Sequence, residues 1–93
     1  MNIQELLEYI TKSLVDDPNQ VLVRVSENPH AINVELQVAP EDMGRIIGKG
    51  GRVVNSLRTL VRIAAIRQGK RATLEILDAN GNVSHPHTET FHA

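Results

Sequence analysis

The chain has 93 residues, a formal net charge of −1, no cysteine, one tyrosine and one phenylalanine. That length supports one domain with a modest core. The missing thiols exclude a disulfide framework, a zinc ribbon and a thiol nucleophile, and two aromatics argue against recognition built on base-stacking platforms. No basic-then-apolar segment opens the sequence and no apolar run approaches spanning length, so a cytoplasmic protein with no membrane role is expected.

In chain order, Asn2 and Glu5 have the spacing of a capping box. Ile3, Leu6, Leu7, Ile10 and Leu14 then recur at helical spacing, with Glu5, Glu8 and Lys12 on the other side. A first helix packing on a sheet through its leucine face is predicted, ending at Asp16-Asp17-Pro18-Asn19. Val21, Val23 and Val25 alternate with Leu22 and Arg24. After a turn at Asn28-Pro29, Ile32, Val34, Leu36 and Val38 alternate with Asn33, Glu35 and Gln37. The two runs predict an antiparallel hairpin with one buried and one wet face. Pro40-Glu41-Asp42 opens a short helix, its acids near the positive end of the dipole. Gly44 inside that helix is unfavourable by propensity and points to close backbone packing.

Residues 45–54 read Arg-Ile-Ile-Gly-Lys-Gly-Gly-Arg-Val-Val. Three glycines in four residues permit sharp geometry and bring the main chain within reach of a ligand. A helix opening directly afterwards aims unpaired N–H groups and the positive end of its dipole at that ligand. An anion suits such a place, with Lys49 at the tip and Arg45 and Arg52 beside it. A mononucleotide P-loop is ruled out because Gly50 follows Lys49 and no Ser or Thr comes closely enough after it to hold magnesium, and no dinucleotide fingerprint can be read through these glycines. Eight of the ten basic residues (Arg45, Lys49, Arg52, Arg58, Arg62, Arg67, Lys70 and Arg71) fall in a span without Asp or Glu. A neutral total with one basic block fits a single nucleic-acid-binding face.

Val53, Val54, Leu57, Leu60, Val61 and Ala64 then share one arc of a helix of about four turns, closed by a glycine cap at Gly69. Ile63 and Ile66 lie outside that arc, on the side of Arg52 and Thr59. They are the largest apolar groups with no place in the core, so Thr59, Ile63 and Ile66 are the candidate dimer interface. Ala72, Leu74 and Ile76 alternate with Thr73 and Glu75 as a third strand, and a turn begins at Asp78. The compact domain is expected over 1–80 and a flexible tail over 81–93. His85 and His87 in the tail could hold a divalent metal weakly, but no carboxylate or thiol cluster completes a site, so no metal or cofactor is expected. His30 stands alone in a turn, and no nucleophile–base pair is present; an enzyme is not expected.

The apolar pair Ile46-Ile47, the loop Gly48-Lys49-Gly50-Gly51 and the later Val54 resemble the signature of the KH domain. In that family the loop clamps the backbone of about four nucleotides of a single strand. The order helix–strand–strand–helix–helix–strand over residues 2–78 matches the type II KH arrangement. At this size the chain looks like the small bacterial single-KH proteins of the KhpA type. The resemblance implies an α+β fold, its three-stranded sheet covered by helices on one face, with Gly48, Lys49, Gly50, Gly51, Arg45, Arg52 and Ile47 as the RNA-binding residues. It also implies an RNA chaperone or post-transcriptional regulator, paired as a homodimer or with a larger KH-containing protein of the KhpB type. A protein–protein adaptor without an RNA role is the alternative.

Overall fold

A computed structural model describes residues 2–80; the tail expected at 81–93 lies outside them. The fold is α+β, in the order α1 (Ile3–Leu14), β1 (Leu22–Glu27), β2 (Ala31–Val38), α2 (Met43–Ile47), α3 (Arg52–Ile66) and β3 (Arg71–Asp78). This is the helix–strand–strand–helix–helix–strand arrangement that the resemblance implied.

The first helix opens as its sequence predicts. The Asn2 side chain accepts the Glu5 N–H at 2.8 Å, and the Glu5 carboxylate accepts the Asn2 N–H at 3.4 Å, closing the capping box. Two expectations about this helix are corrected. Leu14 is 42% exposed, whereas Thr11, which the apolar pattern passes over, is fully buried. The helix therefore seats Leu7 and Thr11, one turn apart on the same stripe. The Thr11 hydroxyl has no hydrogen-bond partner among the described residues.

The sheet has the order β1–β2–β3, with β2 central. β1 and β2 pair antiparallel, Val25 opposite Val34, and β2 and β3 pair parallel, Val34 opposite Leu74. The hairpin turn is held by Asn28, whose Oδ1 accepts the N–H groups of His30 at 2.7 Å and Ala31 at 2.8 Å. Val21 falls outside β1, which starts one residue later. Val23, Ile32, Val34, Leu36, Val38, Leu74 and Ile76 form the buried face, and the helices cover it. Burying each such side chain contributes roughly 1.5–3 kcal/mol. The other face carries an Arg24–Glu35 ion pair at 3.1 Å and a Thr73–Asn33 hydrogen bond at 2.8 Å, although Leu77 on that side is buried.

The parallel pairing of β2 with β3 requires a crossover, and α2, the glycine loop and α3 make it. Val54, Leu57, Val61 and Ala65 are the fully buried residues of α3, while Val53, Leu60 and Ala64 are half-buried. The buried stripe thus lies further round the helix than the predicted arc, because α3 leans its Ala65 side on the sheet. Its C-terminus is closed as expected: Gly69 donates to the Ile66 carbonyl at 3.0 Å and Lys70 to the Ala65 carbonyl at 2.9 Å, the paired bonds of a Schellman cap.

Candidate nucleic-acid interface

The loop is built from the end of α2. The Gly48 N–H donates to the Gly44 carbonyl at 2.9 Å, which completes the short helix, and the chain then reverses with Gly48 at φ 77°, ψ 170°. A Cβ on Gly48 would lie 2.6 Å from Val53 Cγ2 and 2.8 Å from the Val53 amide nitrogen. No side chain fits there, so Gly48 is demanded by the turn itself. Gly50 (φ 65°, ψ 16°) and Gly51 (φ 82°, ψ 14°) both adopt the left-handed conformation.

That geometry divides the N–H groups of the loop into two sets. Gly51 donates to the Gly48 carbonyl at 3.1 Å and Arg52 donates to the Lys49 carbonyl. The N–H groups of Lys49 and Gly50 have no acceptor among the described residues. These two donors, with the exposed Lys49 ammonium and the exposed Arg52 guanidinium, lie where the fifteen-residue helix α3 begins. N–H groups, the N-terminal end of a helix and side-chain charge thus fall within a few residues of one another, a combination that suits an anion. The Gly51 N–H, expected as a donor to the ligand, is engaged by the Gly48 carbonyl within the turn.

Of the apolar pair before the loop, Ile46 is fully buried in the core and Ile47 only half-buried against it. Sequence left these roles undivided. Ile47 is the one with apolar surface beside the loop.

Arg45 is held more firmly than its sequence position suggests. Its Nη2 donates to Asp16 at 2.7 Å and its Nε to Asp42 at 3.3 Å. Asp42 is 1% exposed, and its two oxygens accept the N–H groups of Asp16 at 3.0 Å and Asp17 at 3.1 Å. The carboxylate expected simply to face the dipole of α2 instead ties that helix to the chain leaving α1. The Asp16 N–H bond, then the Asp17 N–H bond and Arg45, outweigh burial and hold the Asp42 carboxyl below its ordinary value. Nothing in residue spacing brings Asp16 to Arg45, which is why sequence reasoning missed this cluster. The expectation for Gly44 is also corrected: it is exposed, and a Cβ there would meet nothing within 4 Å.

The basic block is only partly available. Lys70 is paired with Glu27 at 2.8 Å, and Arg58 Nη1 donates to Asn55 at 3.1 Å. Lys49, Arg52, Arg62, Arg67 and Arg71 form no ion pair among the described residues. On the outward side of α3, Thr59 is exposed, Ile63 is 52% and Ile66 64% exposed. Among those residues no group of three His, Cys, Asp or Glu could hold a metal ion, and no helix is long and apolar enough to cross a membrane.

Comparison with known proteins gives one consistent answer. Residues 4–76 match the family model described as KhpA/KhpB, KH domain. The chain is 47% identical over 75 residues to the RNA-binding protein KhpA of Clostridium acetobutylicum, covering 81% of this chain and all of that protein. It is 48% identical over 73 residues to the protein of that name from Caldanaerobacter subterraneus, covering 78% of this chain and 97% of the relative. The counterpart in Borreliella burgdorferi is 43% identical over 74 residues, covering 80% and 90%. No solved structure matches significantly.

Proposed function

The chain belongs to the KhpA/KhpB KH-domain family, and on that premise we propose that it is a non-enzymatic, cytoplasmic protein that binds single-stranded RNA by its backbone. The observation that carries the reading is the pair of N–H groups of Lys49 and Gly50, without an acceptor among the described residues, just before α3 and inside a loop shaped by three positive-φ glycines. The relatives named RNA-binding protein KhpA support it.

In this reading the Lys49 and Gly50 N–H groups and the Lys49 ammonium take phosphate oxygens. Gly48 and Gly51 keep the turn tight, Arg45 and Arg52 flank the strand, and Ile47 offers an apolar floor. Contacts of this kind position a strand without reading its sequence, which suits an RNA chaperone or post-transcriptional regulator of broad specificity. Thr59, Ile63 and Ile66 form the face through which a second copy, or a larger KH protein of the KhpB type, pairs with α3. Two-fold pairing covers the isoleucines and presents two loops to one RNA, raising avidity without a new contact.

The test is an anisotropy titration of a fluorescein-labelled single-stranded RNA across a series of salt concentrations. With about four phosphates held at about −0.7 each, the log–log slope is near −3. Absence of binding at low salt favours the adaptor reading, and binding with a slope near zero removes the electrostatic grip.

A further inference from the structure

Arg45 combines two partners of opposite character. Asp42 is buried, fixed by two backbone N–H groups, and meets Arg45 at Nε. Asp16 has a side chain 79% exposed and holds Nη2 at 2.7 Å, while Arg45 itself is half-exposed. Asp42 therefore orients the guanidinium, and Asp16 occupies the outward edge of its donor fork. Arg45 stands in the last turn of α2, three residues before Gly48. The Asp16 carboxylate and a phosphate share charge and acceptor geometry, and a planar guanidinium serves either one.

We propose that Asp16 is an internal competitor for RNA phosphate at Arg45, tempering the affinity of the glycine-loop site. This rests on the reading of that loop as the RNA site. In the resting protein Asp16 fills the position on Nη2 that a phosphate takes when RNA arrives. The exchange is easy because exposed ion pairs are weak, and Asp42 keeps Nε throughout, so Arg45 is delivered already aimed. Swapping one anion for another at Arg45 releases no net counterion. In the wild type this arginine therefore strengthens binding less than its charge suggests.

Asp16→Asn removes the competing charge and leaves the Asp16 N–H to Asp42 in place. Its dissociation constant for a labelled single-stranded RNA of mixed sequence should fall about two- to fivefold, the range set by an exposed ion pair. Its log–log salt slope should steepen by about 0.7, one further phosphate neutralised with counterion release. Both changes should vanish in an Arg45→Gln background. Glu75→Gln, an exposed acid on the wet face of the sheet, makes the same change in net charge and should leave affinity within error of the wild type. Tightening in Asp16→Asn that persists without Arg45, or that Glu75→Gln reproduces, overturns the proposal. So does an Asp16→Asn variant that binds like the wild type. A wild type that binds no RNA is a different outcome, overturning the reading of the loop and this proposal with it.

Discussion

Lys49→Asp combined with Gly50→Asp shifts the loop by three units of charge where phosphate is expected. At roughly 1 kcal/mol per unit charge about 4 Å from a phosphate in water, the change is about 3 kcal/mol, or roughly a hundredfold in affinity. The fold should survive. A Cβ on Gly50 meets nothing within 4 Å, so the cost is confined to the left-handed backbone, roughly 1–2 kcal/mol and least for Asn and Asp. An acid at position 49, in the turn before α3, returns about 0.3–1 kcal/mol through the helix dipole. The net loss stays under about 2 kcal/mol, against the 5–15 kcal/mol typical of domains. Gly48 offers no such experiment, since its Cβ collides with Val53 and binding would fall with the fold. Anisotropy titration at low salt, beside thermal melting followed by circular dichroism, reads both quantities. A folded double variant with wild-type affinity refutes the assignment of the loop.

Ile63→Asp should convert a self-associating wild type into a folded monomer by sedimentation; a wild type monomeric at every concentration, with no KH partner bound, ends the proposed α3 interface. Gly44→Ala should raise stability by about 0.5–1 kcal/mol in urea unfolding, because the added methyl enters open space and alanine favours helix; a loss would mean a packing contact at that site. Thr11→Val should raise the melting temperature, by about 1 kcal/mol of stability, since it removes a buried hydroxyl with no acceptor among the described residues; a lower melting temperature would show that the hydroxyl is satisfied.

The readable parts of the sequence were those where one interaction dominates. Alternation in β2 reported a half-buried strand because the sheet is covered on one face only. Asn2 with Glu5, and Gly69, reported helix ends because capping is local. What stayed hidden depends on tertiary placement. The parallel pairing of β3 with β2 leaves no mark on the period of either strand. The burial of Thr11 and Ala65, and the exposure of Leu14, follow from how each helix leans on the sheet, which a wheel drawn from polarity cannot supply. The tight turn was legible from its glycines, and the proposal that it meets an anion rests on the flanking charges. Which N–H groups are free required the turn geometry, and the engagement of Arg45 required Asp16, twenty-nine positions away.

The sheet leaves two strands with an edge that no other strand pairs among the described residues, one on β1 and one on β3. Such edges are templates on which a further chain can grow. Here the exposed positions of β1 include Arg24, Ser26 and Glu27, and those of β3 include Arg71, Thr73 and Glu75. A strand arriving along either edge meets charge of both signs, with Leu22 of β1 the exposed large apolar side chain among the described residues of these two strands. Open-ended growth by sheet extension is therefore discouraged at both sides.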